Sequence, residues 1–78
     1  MEEYLMTFNT QLDAVVARKR IQKMGGECHL CPVPRQLSSS CGTCAKIQGI
    51  TKEELAEFEF EKLFAVHGTE YKMELDSE

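Results

Sequence analysis

No apolar run in the 78 residues approaches the ~18 that a membrane-spanning helix requires, so no such helix is expected. The opening stretch, MEEYLMTF, has neither the basic leader nor the apolar core of a secretory signal. With Met1 at its head, the chain reads as cytoplasmic. Recognisable catalytic patterns are missing too: there is no G-x-x-x-x-G-K-[ST], G-x-S-x-G or H-E-x-x-H, and a non-enzymatic protein is expected. Positive charge is scarce where a nucleic-acid binder would spread it. The formal charge is −4, with seven Lys/Arg against four Asp/Glu over residues 1–52 and two against nine over residues 53–78. Size is the last shortage. A chain this short is one domain, and below roughly 80 residues a core is commonly supplemented by disulfides, a metal or a second subunit.

What is present is cysteine. GECHLCPVPRQLSSSCGTCAKIQG, residues 26–49, holds two Cys-x-x-Cys pairs, Cys28/Cys31 and Cys41/Cys44. In a reducing compartment such doubled pairs favour metal over disulfide. Two intervening residues let one tight turn point two thiolates at one ion, and structural zinc closes its sphere with four such ligands. One structural Zn²⁺ on Cys28, Cys31, Cys41 and Cys44 is therefore expected. The order of the two pairs resembles a treble-clef or zinc-ribbon finger over about 20 residues. An iron–sulfur cluster takes the same ligands, and spacing alone does not separate the two. Two disulfides, or a thioredoxin-like redox pair, are the weaker alternatives, the latter because it calls for a βαβ context. His29, next to Cys28, and the isolated His67 read as non-ligands.

The remaining segments read as follows. Residues 1–8 are an extended N-terminal stretch. Residues 9–25 are a helix capped by Asn9 or Thr10, with Asp13 in its first turn, Arg18, Lys19, Arg20 and Lys23 toward its end, and Gly25-Gly26 as its stop. At 100° per residue this helix shows two apolar sides, Leu12, Val15 and Val16 with Phe8, and Ala14, Ala17, Ile21 and Met24 opposite. After residues 26–49 as the zinc-binding segment, a second helix is expected within 50–67. Thr51 and Glu54 form a capping box there, and Ile50 and Leu55 a hydrophobic staple. EFEFE alternates with period two and offers strand as the rival over residues 57–66. TEYKMEL, 69–75, reads as a strand with Thr69, Tyr71, Met73 and Leu75 on one face, paired with the Tyr4–Phe8 stretch or with a second copy. Residues 76–78 are a tail. The expected fold is a small, mostly helical α+β zinc-stapled domain: helix, Cys₄ finger, helix, short C-terminal strand.

Two functions follow from these expectations. The first is a zinc-binding regulator or adaptor acting through protein–protein contact, with transcription machinery among its candidate partners. The Ala14, Ala17, Ile21, Met24 face would meet that partner or a second copy of the chain. The second is a zinc-finger nucleic-acid binder using Arg18, Lys19, Arg20, Lys23, Arg35 and Lys46. Against it, Phe58, Phe60 and Phe64 lie in the acidic half, so no stacking aromatic accompanies the basic cluster.

Overall fold

In the stretch EYLMT every residue after Glu3 is apolar or can hide its hydroxyl, which suits a strand covered on both faces. It forms β1 (Glu3–Thr7) at the centre of the sheet, with Tyr4 and Met6 buried on one face and Leu5 and Thr7 on the other. The computed structural model describes residues 3–37 and 42–76 of the chain. After β1 come α1 (Gln11–Lys23), β2 (Glu27–Pro32), β3 (Thr43–Gln48), the single turn α2 (Lys52–Leu55), β4 (Lys62–His67) and β5 (Glu70–Asp76). The five strands form one sheet in the order β2-β3-β1-β4-β5, each neighbouring pair antiparallel. β1 and β2 both run antiparallel to β3 and so parallel to each other, with α1 as their crossover. The first four strands thus have the β-α-β-β-α-β order of a ferredoxin-like fold, with its second helix reduced to one turn and β5 added at the edge.

α1 starts where its cap is. The Thr10 side-chain oxygen accepts the Asp13 N–H at 3.1 Å. Ala14, Ala17 and Ile21 lie within 2 % of full burial against the sheet, and α1 packs over β2 and β3. Leu12, Val16 and Met24 stay exposed on its outer side. Gly25 ends it at φ 86°, and the Gly26 N–H returns to the Ile21 carbonyl at 3.0 Å, satisfying one carbonyl left open by the helix end.

The mostly helical, finger-based architecture is corrected by this topology: 43 % of the described residues are strand against 24 % helix, and α1 is the one described helix of seven or more residues. Residues 27–32 and 43–48 are strands, not the tight turns of a finger. The N-cap half of the capping box at Thr51 forms. Thr51 Oγ1 accepts the Glu54 N–H at 3.3 Å and donates to Glu54 Oε1 at 3.1 Å, and Ile50 and Leu55 are both buried. The helix it starts nevertheless stops at Leu55. Downstream, Leu63, Phe64 and Ala65 are buried in sequence as a strand between β1 and β5, and periodicity alone does not tell such an apolar run from buried helix. β5 pairs with β4 and not with the N-terminal stretch. Its single expected face is split: Phe64 is opposite Met73 while Leu63 is opposite Leu75, so Glu74 is an extra residue in the ladder. That bulge sends Tyr71 and Leu75 to opposite faces.

The end of α1 comes very close to the segment entering α2. A Cβ built on Gly26 would sit 2.5 Å from Ile50 Cγ1, and Ile50 is itself buried. Gly26→Ala is expected to lower stability by about 1–3 kcal/mol in urea denaturation. The loss should shrink in a double-mutant cycle with Ile50→Ala, which removes the obstructing atoms. Equal losses in both backgrounds would show that the two residues do not meet.

Candidate functional site

The site is built by parity. On a strand, residues two apart share a face and residues three apart do not. Cys28 and Cys31 both lie on β2, so the pair that a tight turn would aim at one ion is divided between the two faces of the sheet. Cys28 is opposite Ile47 and buried beneath α1 with Ile21 and Tyr4. Cys31 is opposite Cys44 on the other face, and their Sγ atoms are 3.4 Å apart. Next in that row comes Thr7 of β1, paired with Cys44 on one side and Lys62 of β4 on the other.

This second face is a small apolar cluster. Leu5, Cys44 and Phe64 are its buried members, and Cys31, Val33, Leu37, Val66 and Tyr71 pack against them. The β2–β3 connection contributes Val33 and Leu37; it is held by the Val33 N–H donating to the Gly42 carbonyl at 3.2 Å and the Leu37 N–H donating to Pro34 at 3.0 Å. Cys44 is fully buried and its thiol donates to the Pro32 carbonyl at 3.6 Å. Cys31 is only half-buried. Thr7 Oγ1 accepts the Lys62 N–H at 3.1 Å, which ties the neighbouring strand to the row. Cys28, Cys31 and Cys44 are all thiols. Burial pushes the Cys28 thiol up from 9.0 to about 11; the Arg18 charge pulls it down and Cys31 adds a smaller upward push.

Cys41 lies outside the described residues. Among those described, no group of three or more His, Cys, Asp or Glu side chains is placed to hold a metal ion. His29 is on the Cys31 face, exposed and opposite Lys46, and His67 is exposed at the end of β4. Of the expected partner face on α1, Ala14, Ala17 and Ile21 form part of the core and only Met24 is exposed, so that face is corrected to the inner one. Arg18, Lys19, Arg20 and Lys23 are exposed on α1, with the Arg20 guanidinium 4.2 Å from the Phe58 ring centre. Lys46 projects from the face away from α1, since it sits two residues after Cys44, and Arg35 is in the β2–β3 connection. The basic residues therefore do not line one surface. Sequence reasoning missed Thr7, Leu5 and Phe64 as neighbours of the thiols. Strand parity could have separated Cys28 from Cys31, but no local signal pairs Cys31 with Cys44.

Two outcomes follow from the difference between the faces. A thiol-alkylating reagent at neutral pH should modify Cys31 well before Cys28 and Cys44, read by peptide mapping; equal rates in the folded protein would contradict the burial. The unfolded chain gives up its Cys28 proton near 9.0 and the folded chain only near 11, so between these values the unfolded state binds fewer protons. Stability should accordingly fall as pH rises through that window, and fall less in Cys28→Ala, as followed by denaturation at pH 8 and above 10.

Neither a curated protein nor a solved structure matches this chain. One family model does, described as "Putative Se/S carrier protein-like", over residues 3–72, from the first residue of β1 into β5. That match spans nearly the whole described fold and includes all four cysteines, and the chain belongs to this family.

Proposed function

We propose that this protein is a carrier that holds a sulfur or selenium atom on a cysteine of the β2–β3 hairpin and passes it on. What supports the reading is the family's description together with three cysteines, Cys31, Cys41 and Cys44, within one hairpin. The observation that carries it is the half-buried Cys31 sulfur at the mouth of an apolar cluster. A receiving thiol has to be reachable by a donor's persulfide. Cys28 and Cys44 are enclosed, which leaves Cys31 among the described residues, and Cys41 is tested beside it.

The transfer needs no external redox partner. The carrier thiolate attacks the outer sulfur of a donor persulfide, the donor S–S bond breaks, and the donor thiol leaves with the electron pair. The transferred atom keeps its oxidation state and now forms the outer atom of a carrier persulfide. Val33, Leu37 and Tyr71 limit water and stray thiols around it, which slows loss of the cargo. A selenium atom would be held in the same way, as a selenenyl sulfide.

The test is loading. Reduced protein mixed briefly with glutathione persulfide and quenched in acid should gain the mass of one sulfur atom, and cyanide should release it as thiocyanate. Cys28→Ser should load as wild type does, while Cys31→Ser with Cys41→Ser should not load. No gain in the wild type, or a full gain in that double variant, would overturn the proposal. Metal analysis of the same preparation belongs beside it: one tightly held zinc per chain that blocks loading would favour the structural-metal expectation.

A further inference from the structure

We infer that Cys31 and Cys44 form a discharging dithiol, in which Cys44 attacks the loaded Cys31 sulfur and releases the cargo in reduced form as sulfide or selenide. This rests on the carrier reading above and goes beyond it, since a carrier needs only one thiol. The antiparallel register sets the two cysteines directly opposite each other, and it places Cys44 Sγ 3.4 Å from Cys31 Sγ, within the separation at which reacting atoms can be productive. Directly opposed antiparallel residues have Cα atoms about 4.5–5.5 Å apart, inside the range that a disulfide spans.

Position also decides which sulfur is attacked. A donor or acceptor from outside meets the outer atom of a persulfide, the end of the side chain. Cys44 lies beside the inner one, the Cys31 Sγ itself. Attack there forms the Cys31–Cys44 bond and breaks the bond to the outer atom. Cys44–SH and Cys31–S–SH become the Cys31–S–S–Cys44 disulfide and H₂S. The two cysteines supply two electrons to the departing sulfur, and the Cys44 proton leaves with it. An external dithiol then restores the pair by exchange. With selenium as cargo the same step expels hydrogen selenide.

The surroundings keep Cys44 from being loaded in place of Cys31. Cys44 is fully buried among Leu5 and Phe64 with its sulfur on the Pro32 carbonyl, so a donor from outside meets the half-buried Cys31 and not Cys44. Loading at the half-buried Cys31 therefore comes first and discharge second.

A time course tests this. Wild-type protein and Cys44→Ala are loaded with glutathione persulfide, freed of excess donor, and followed by intact mass and by sulfide release. The wild type should lose its added sulfur, release one sulfide per sulfur lost, and yield a Cys31–Cys44 cross-link on peptide mapping. Cys44→Ala should retain its sulfur, with release slowed at least about 100-fold. The wild-type cross-link alone decides the matter if the variant fails to fold. Loading followed by stable retention in the wild type, or by a cross-link other than Cys31–Cys44, would overturn the discharge step and leave the carrier standing. No loading in either protein would overturn both.

Discussion

The register of β3 between β2 and β1 is the constraint on which the site depends. Because Cys44 is opposite both Cys31 and Thr7, a shift of one residue would send Cys44 to the helix face and bring Ala45 or Thr43 to the thiol row. That register is held strongly. Ala45 and Ile47 are fully buried under α1 while Cys44 is fully buried on the opposite face, so slippage would exchange covered and open sides along the whole strand. The 3.4 Å between the two sulfurs is a by-product of a hydrophobic register, which is why it needs no ligand to hold it.

Helix α1 enforces the same register from above. Its inner face is small, with Ala14 and Ala17 letting the helix backbone lie close to β2 and β3 and Ile21 filling the space near Ile50 and Gly26. Cys28 belongs to this layer and behaves as a small apolar core residue, with a thiol that burial keeps protonated. Among the described residues the other face has no helix. Its cover is the β2–β3 connection, through Val33 and Leu37, so it is thinner and leaves Cys31 within reach of solvent. The two faces thus separate the cysteines: Cys28 is enclosed under the helix, while under the loop Cys44 is enclosed and Cys31 half-buried.

Local signals were legible wherever a few neighbouring residues decide the outcome. The Thr10 cap, the acidic first turn at Asp13, the basic end and the Gly25 stop specify α1, and each is a contact within one or two helical turns. The Thr51 cap on the Glu54 N–H also formed as expected, yet the helix beyond it did not. A cap stabilises the first turn by about 1 kcal/mol and carries no information about length. Burial of Leu63, Phe64 and Ala65 between two strands outweighs it.

By itself the sequence determined that the chain is small, acidic in its second half, rich in closely spaced thiols, and begins with an extended stretch followed by one well-capped helix. Only the tertiary structure decided where the described cysteines lie. Spacing in Cys-x-x-Cys brings two sulfurs together on a turn and separates them on a strand, and the choice between turn and strand lies with β1, residues more than 20 positions away that offer β3 a partner. The pairing of Cys31 with Cys44 is likewise a property of strand register, which no window along the chain contains.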